Sequence, residues 1–202
     1  MWPADVSEAP PEALSDVAWA FDQAHFRQVM GYFPTGVTVV TAAGPQGTTG
    51  LAIGSFGSVS LEPPLVMFMP AKQSLSWPQI EVAGHFGVNI LAAHQAEVSQ
   101  RFASHATDKF VGLRWSPKVS GAPIFEDSLA WVDCKIERVI EAGDHWIVLG
   151  LVLDLGVQGG VSGSCSAISS EGLTEGSSVG PLIFLGGEYG SFQPLVQQPP
   201  AQ

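Results

Sequence analysis

Short apolar runs of strand length, broken by Gly and Pro turns, dominate this chain, and three longer stretches read as helices. The first helix is expected from about Asp16 to Tyr32, with Val17, Phe21, Ala24, Gln28 and Val29 along one face and Asp16 as its cap. Phe33-Pro34-Thr35-Gly36 ends it and opens a β-branched strand, Val37–Thr41. The Gly44–Gly47 turn then predicts a hairpin with the strand that starts at Gly50. That second strand crosses a hydroxyl-rich run, Ser55, Ser58 and Ser60, with Phe56 among them. Glu62-Pro63-Pro64 reverses it into Leu65–Met69, whose lack of polar alternation predicts burial on both faces.

Ser74–Val82 reads as a short helix with Pro78 in its first turn, Ser76 as cap and Gly84 as stop. Phe86–Leu91 is a further buried strand, and His94–His105 a third helix. After a basic and aromatic loop over 106–120, Ile124–Phe125 and Leu129–Glu141 are expected to pair as a hairpin. A strand from Trp146 to about Leu155 follows the Gly143-Asp144-His145 tip, and Pro181–Leu185 is the last strand. Seven or eight strands with three helices and short hairpins predict a mainly β fold, an antiparallel barrel with peripheral helices. One domain over 15–192 is expected, with a flexible lead-in at 1–14, a Gly/Ser-rich loop at 156–180 and a disordered tail at 193–202.

Composition narrows the chemistry. Hydrophobic residues make up 46% of the 202 residues and charged residues 13%, a balance that fits either apolar surface buried against a second copy or a ligand, or a β-rich fold with uncharged Ser/Thr/Gly loops. The net charge of −11 disfavours nucleic acid and anionic membranes, and requires any phosphate site to be local. The opening residues lack a basic segment and an apolar core, no apolar run reaches membrane length, and a cytoplasmic protein is the default. Cys134 and Cys165 show no metal spacing, and no disulfide between them is expected.

Hydroxyls beside one lysine between apolar strands suit a bound anion such as a phosphate; an ordinary serine-rich turn accounts for the same residues. Asn89 interrupts an apolar strand and needs a polar partner, either a neighbouring turn or a ligand. Phe56 and Trp77 suit the walls of a flat slot or the core. His145 stands at a hairpin tip from which a side chain reaches a cleft or water. No G-x-G-x-x-G follows a strand, which argues against a Rossmann dinucleotide site.

Six blocks stand in order: Phe33-Pro34-Thr35-Gly36-Val37, the 54–65 run GSFGSVSLEPPL, Phe86–Leu91, Asp108-Lys109-Phe110, Gly143-Asp144-His145 and Pro181–Phe184. Together they resemble the short-chain flavin reductase family, the small NAD(P)H:flavin oxidoreductases that supply reduced flavin to two-component monooxygenases. The resemblance implies a split β-barrel that binds FMN or FAD, uses NADH or NADPH and forms a homodimer. It implies that Pro34, Thr35, Gly36, Ser55, Phe56, Ser58, Val59, Ser60, Lys72, Ser74, Ser76, Trp77, Val88 and Asn89 line the flavin. It puts Phe102 and Lys109 on the phosphate side, and His145 over the ring where nicotinamide docks, to orient that ring or assist protonation. Gly54, Ala52 and Gly57 depart from the family pattern, each removing a hydroxyl or an amide. Two rival readings keep the fold: a tightly held flavin acting on another small molecule, and a flavin-binding module without turnover.

Overall fold

A computed structural model describes residues 20–158 and 180–193. The expected lead-in, most of the 156–180 loop and all but the first residue of the tail lie outside the described residues, as do Asp16, Val17 and Cys165. The described chain is mainly β, an antiparallel split-barrel architecture built on one seven-stranded sheet.

Seven strands form it: β2 (Thr38–Gly44), β3 (Gly47–Ile53), β4 (Gly57–Leu61), β5 (Pro64–Phe68), β6 (His85–Ile90), β9 (Ala130–Ala142) and β10 (His145–Val157). Their order is β3-β2-β6-β9-β10-β5-β4. The split lies between the two end strands, β3 and β4, which do not pair with each other. β1 (Thr35–Gly36), β11 (Leu182–Leu185) and β12 (Glu188–Ser191) form a small second sheet. β7 (Trp115–Pro117) and β8 (Pro123–Phe125) form a third. The predicted pairing of Ile124–Phe125 with Leu129–Glu141 is therefore corrected: β8 pairs with β7, while β9 lies between β6 and β10. The described strands number twelve rather than seven or eight, because pieces of two to four residues are too short to carry a hydrophobic period.

The predicted β2–β3 hairpin is present, with Thr41 opposite Gly50. β2 is buried from Thr38 to Ala42, and its two faces serve different cores. Val40 joins Phe68, Trp77, Ile80, Phe86, Cys134 and Val148 in one cluster. Val39 joins Val37, Leu91, Phe102, Phe125 and Leu182 in the other. With both faces covered, no position on this strand needs a polar side chain for water. The buried Thr38 hydroxyl donates to the Ile53 carbonyl at 2.9 Å, and Thr41 to those of Gly87 and Pro123. On β5 only Val66 and Phe68 are fully buried, so burial on both faces does not extend along that strand.

Three helices flank the sheet: α1 (Gln23–Met30), α2 (Trp77–Ala83) and α3 (Ala96–Ala103). Asp22 caps α1 by accepting from the His25 amide at 2.8 Å. No residue of α1 is buried, and the expected face residues Phe21 and Val29 are 46% and 56% exposed. α2 begins at Trp77, three residues after the expected Ser74, with Pro78 in its first turn, and stops at Gly84, whose φ of +73° suits glycine. Among the described residues no helix is long and apolar enough to cross a membrane.

Candidate functional site

A cleft of about 650 Å³ opens between β3, the 69–76 segment before α2, and the 102–110 segment that ends α3. Five expected site residues meet there: Ser74, Ser76, Phe102, Lys109 and His145. Leu51, Ala52, Ile53, Met69 and Phe110 supply apolar wall. Thus an apolar surface adjoins a small set of polar groups, the ordinary composition of a small-molecule site.

Lys109 is the chief electrostatic feature. Its Nζ donates to the carbonyls of Phe102 at 3.0 Å and Gly50 at 3.4 Å. Neither is a full negative charge. Burial lowers its pKa from the ordinary 10.5, because a desolvated ammonium loses hydration that carbonyls replace incompletely. A half-buried cation without a carboxylate partner among the described residues, on the wall of a cleft, fits an anionic group such as a flavin phosphate.

Gly50 holds this corner together. A Cβ there would stand 2.8 Å from Phe102 Cε1 and 2.9 Å from the Val40 carbonyl oxygen, so β3 meets α3 only with glycine at this point. Its carbonyl accepts from Lys109 and, at 2.8 Å, from the Ser76 hydroxyl. Ser76 therefore does not cap α2 with its side chain. Ser74 Oγ accepts from the Trp77 amide at 3.3 Å, which leaves its own proton to donate.

His145 follows the two-residue Gly143-Asp144 turn, where Gly143 has φ of +60°. The turn is anchored on the 70–72 segment: the Lys72 amide donates to the Asp144 carbonyl and the Trp146 amide to that of Pro70. The imidazole lines the cleft, and its Nδ1 lies 2.7 Å from the Asp144 carboxylate. That hydrogen bond and the imidazole's charge hold the Asp144 carboxyl below its ordinary 3.8.

Other expected site residues lie elsewhere. Lys72 is ion-paired with Glu141, and its Nζ sits 5.1 Å from the centre of the Trp146 ring. Ser55 bridges the Met69 backbone, donating to the carbonyl at 3.2 Å and accepting from the amide at 3.0 Å. Trp77 is 2% exposed and packs edge-on against Phe68. Phe56 packs on the same cluster. Val88 and Asn89 are fully buried. The Asn89 amide has protein partners on both sides, donating to the Val39 carbonyl at 3.1 Å and accepting from the Phe125 amide at 2.7 Å. Of the two partners left open for Asn89, the structure supplies the neighbouring backbone. Ser58, Val59 and Ser60 lie on edge strand β4, with an irregular register at Val59, and do not line the cleft. Pro34, Thr35 and Gly36 do not line it either, although Thr35 Oγ1 lies 2.8 Å from where a Cβ at Gly54 would stand.

Sequence reasoning missed Gly50, Thr48, Thr49, Gln79, Asp108 and His105, all on the cleft wall. The one available signal was a glycine inside a strand pattern, which marks close backbone approach; loop polar residues carry no such mark.

Comparison with known proteins establishes the family. Residues 30–193 match the flavin reductase like domain family. A flavin reductase of Pseudomonas putida is 51% identical over 147 residues, covering 72% of this chain and 86% of that protein. The flavin-dependent monooxygenase reductase subunit HsaB of Mycobacterium tuberculosis is 42% identical over 175 residues, 86% of this chain and 84% of that one. The crystal structure of nitrilotriacetate monooxygenase component B from Mycobacterium thermoresistibile superposes with a TM-score of 0.74 at 41% identity, covering 90% of this chain and 92% of that one. The Streptomyces globisporus NADH:FAD oxidoreductase SgcE6, solved with NAD and FAD fragments, gives 0.73 at 33% identity over 87% of this chain and 96% of that one. This chain belongs to the flavin reductase like family and is an NAD(P)H:flavin oxidoreductase.

Proposed function

We propose that the cleft binds FMN or FAD with its phosphate on Lys109 and Ser74, and that the reduced flavin passes to the oxygenase component of a two-component monooxygenase. The observation that carries this reading is Lys109, a desolvated cation held by carbonyls beside an apolar wall and across the cleft from His145. The monooxygenase partner rests on the names of the relatives, which are reductase components of such systems.

When bound, the flavin supplies the hydride-accepting chemistry. The chain's own residues bind and orient. Leu51, Ile53 and Met69 give the ring an apolar surface that excludes water. Asp144 fixes His145 through Nδ1, so Nε2 is the nitrogen left to hydrogen-bond a ring docked in the cleft. Apolar side chains exposed on and after α1, among them Phe26, Val29, Met30, Tyr32 and Phe33, support a homodimer. We place the enzyme in the cytoplasm, where its nicotinamide donor is held.

The test is oxidation of NADH and NADPH by purified protein, with and without added FMN or FAD. Turnover that rises with free flavin and saturates supports a reductase with diffusible flavin. Turnover independent of added flavin points to a prosthetic flavin and sinks the reading, as does no oxidation with any pairing.

A further inference from the structure

The chain has eight Lys and Arg residues, and all eight fall within the described residues, so each of them can be located. Lys72 pairs with Glu141, and Arg114 with Glu126 and Asp127. Arg101 donates to the Val111 carbonyl at 2.6 Å, and Lys118 lies 4.4 Å from the centre of the Trp131 ring. Lys135 and Arg138 are exposed on β9, away from the cleft wall. Arg27 lies exposed on α1 and is not part of the cleft wall. Lys109 is the one Lys or Arg that lines the cleft.

The same wall carries a carboxylate, Asp108, next to Lys109, and His145 is tied to Asp144. In the reading above, the flavin phosphate takes the charge of Lys109. A nicotinamide donor then enters a cleft whose one lining carboxylate is Asp108, in a chain of net charge −11. NADH and NADPH present the same ring and the same hydride. They differ by a 2′-phosphate, a monoester of about −1.5 to −2 charge at pH 7, which sites that accept it meet with an arginine or lysine. No such residue is left in this cleft.

We infer that the enzyme discriminates against NADPH by charge, so that NADH is its electron donor, and that Asp108 is a specificity-determining residue. The inference rests on the flavin reductase reading.

The experiment measures kcat/KM for both donors at saturating flavin, at low and high salt, in the wild type, Asp108→Asn and Asp108→Lys. NADH should be favoured by about tenfold or more at low salt, and the ratio should shrink several-fold at roughly 0.5 M salt, where screening shortens to a few ångströms. Asp108→Lys should raise kcat/KM for NADPH by about fivefold or more while NADH changes less, and Asp108→Asn should move the ratio the same way by a smaller factor. A ratio within about threefold at low salt, a preference for NADPH, or a ratio indifferent to salt and to both substitutions would overturn the inference while leaving the reductase intact. Oxidation of neither donor would overturn both.

Discussion

Lys72 and Lys109 stand in two loops that border one cleft, and sequence reasoning gave both the same task. Lys72 precedes α2, and its charge is matched by Glu141. Lys109 follows α3, and among the described residues its charge is met by the carbonyl dipoles of Phe102 and Gly50. The serines divide likewise. Ser55 is taken up by both polar groups of the Met69 backbone, whereas Ser74 accepts one amide and keeps its proton. A charge or hydroxyl already satisfied within the fold has little left for a ligand, and one half-satisfied at a cleft wall is poised for it.

Charge removal should separate the two lysines most sharply. Lys109→Met is expected to weaken flavin binding by roughly 10- to 100-fold, the worth of a charge-assisted hydrogen bond, and Lys72→Met by less than about threefold. Flavin fluorescence titration reads both constants, and equal losses would erase the distinction. Next in size, His145→Gln should lower the rate of NADH oxidation by roughly 10- to 100-fold with flavin affinity nearly unchanged. A large loss of flavin affinity instead would make His145 a flavin-binding group.

The pH dependence sharpens the same contrast. Anion binding needs protonated Lys109, whose pKa lies below 10.5. Flavin affinity should therefore fall as pH rises, beginning lower than for an exposed lysine, and the inflection should vanish in Lys109→Met. An inflection that survives that substitution would assign it to another group.

The serine pair offers a smaller effect. Ser55→Ala should lower stability by about 1–2 kcal/mol with flavin affinity intact, while Ser74→Ala should weaken flavin several-fold at little cost in stability. Thermal melts with and without flavin distinguish them, and a common behaviour would remove the basis for the division. A last check concerns the core beneath the cleft. Burial, with Asp133 adding to it, pushes the Cys134 thiol up to about 12. Its folded value exceeds the ordinary 9.0, so its contribution is complete below about pH 9 and is lost as pH climbs toward 12. In a Cys165→Ser background, Cys134 should resist thiol reagents until the protein unfolds; rapid labelling of the native protein would contradict its burial.

The β2–β3 hairpin, the Gly84 stop of α2 and the position of His145 beyond its turn were legible in the sequence, because each depends on residues a few positions apart. The β7–β8 pairing was not legible, since three-residue strands have no period to read. Asn89 was recognised as a buried amide, but its partners lie on segments 36 and 50 residues away.

By itself the sequence determined the mainly β architecture, its local turns and the six blocks that mark the family. Tertiary structure alone decided that Lys109 rather than Lys72 lines the cleft, that Gly50 joins β3 to α3, and that Trp77 and Asn89 belong to the core. The physical reason is that hydrophobic period and turn chemistry act over a few residues. The partner of a charge or hydroxyl is whatever the sheet order β3-β2-β6-β9-β10-β5-β4 brings within 3 Å of it.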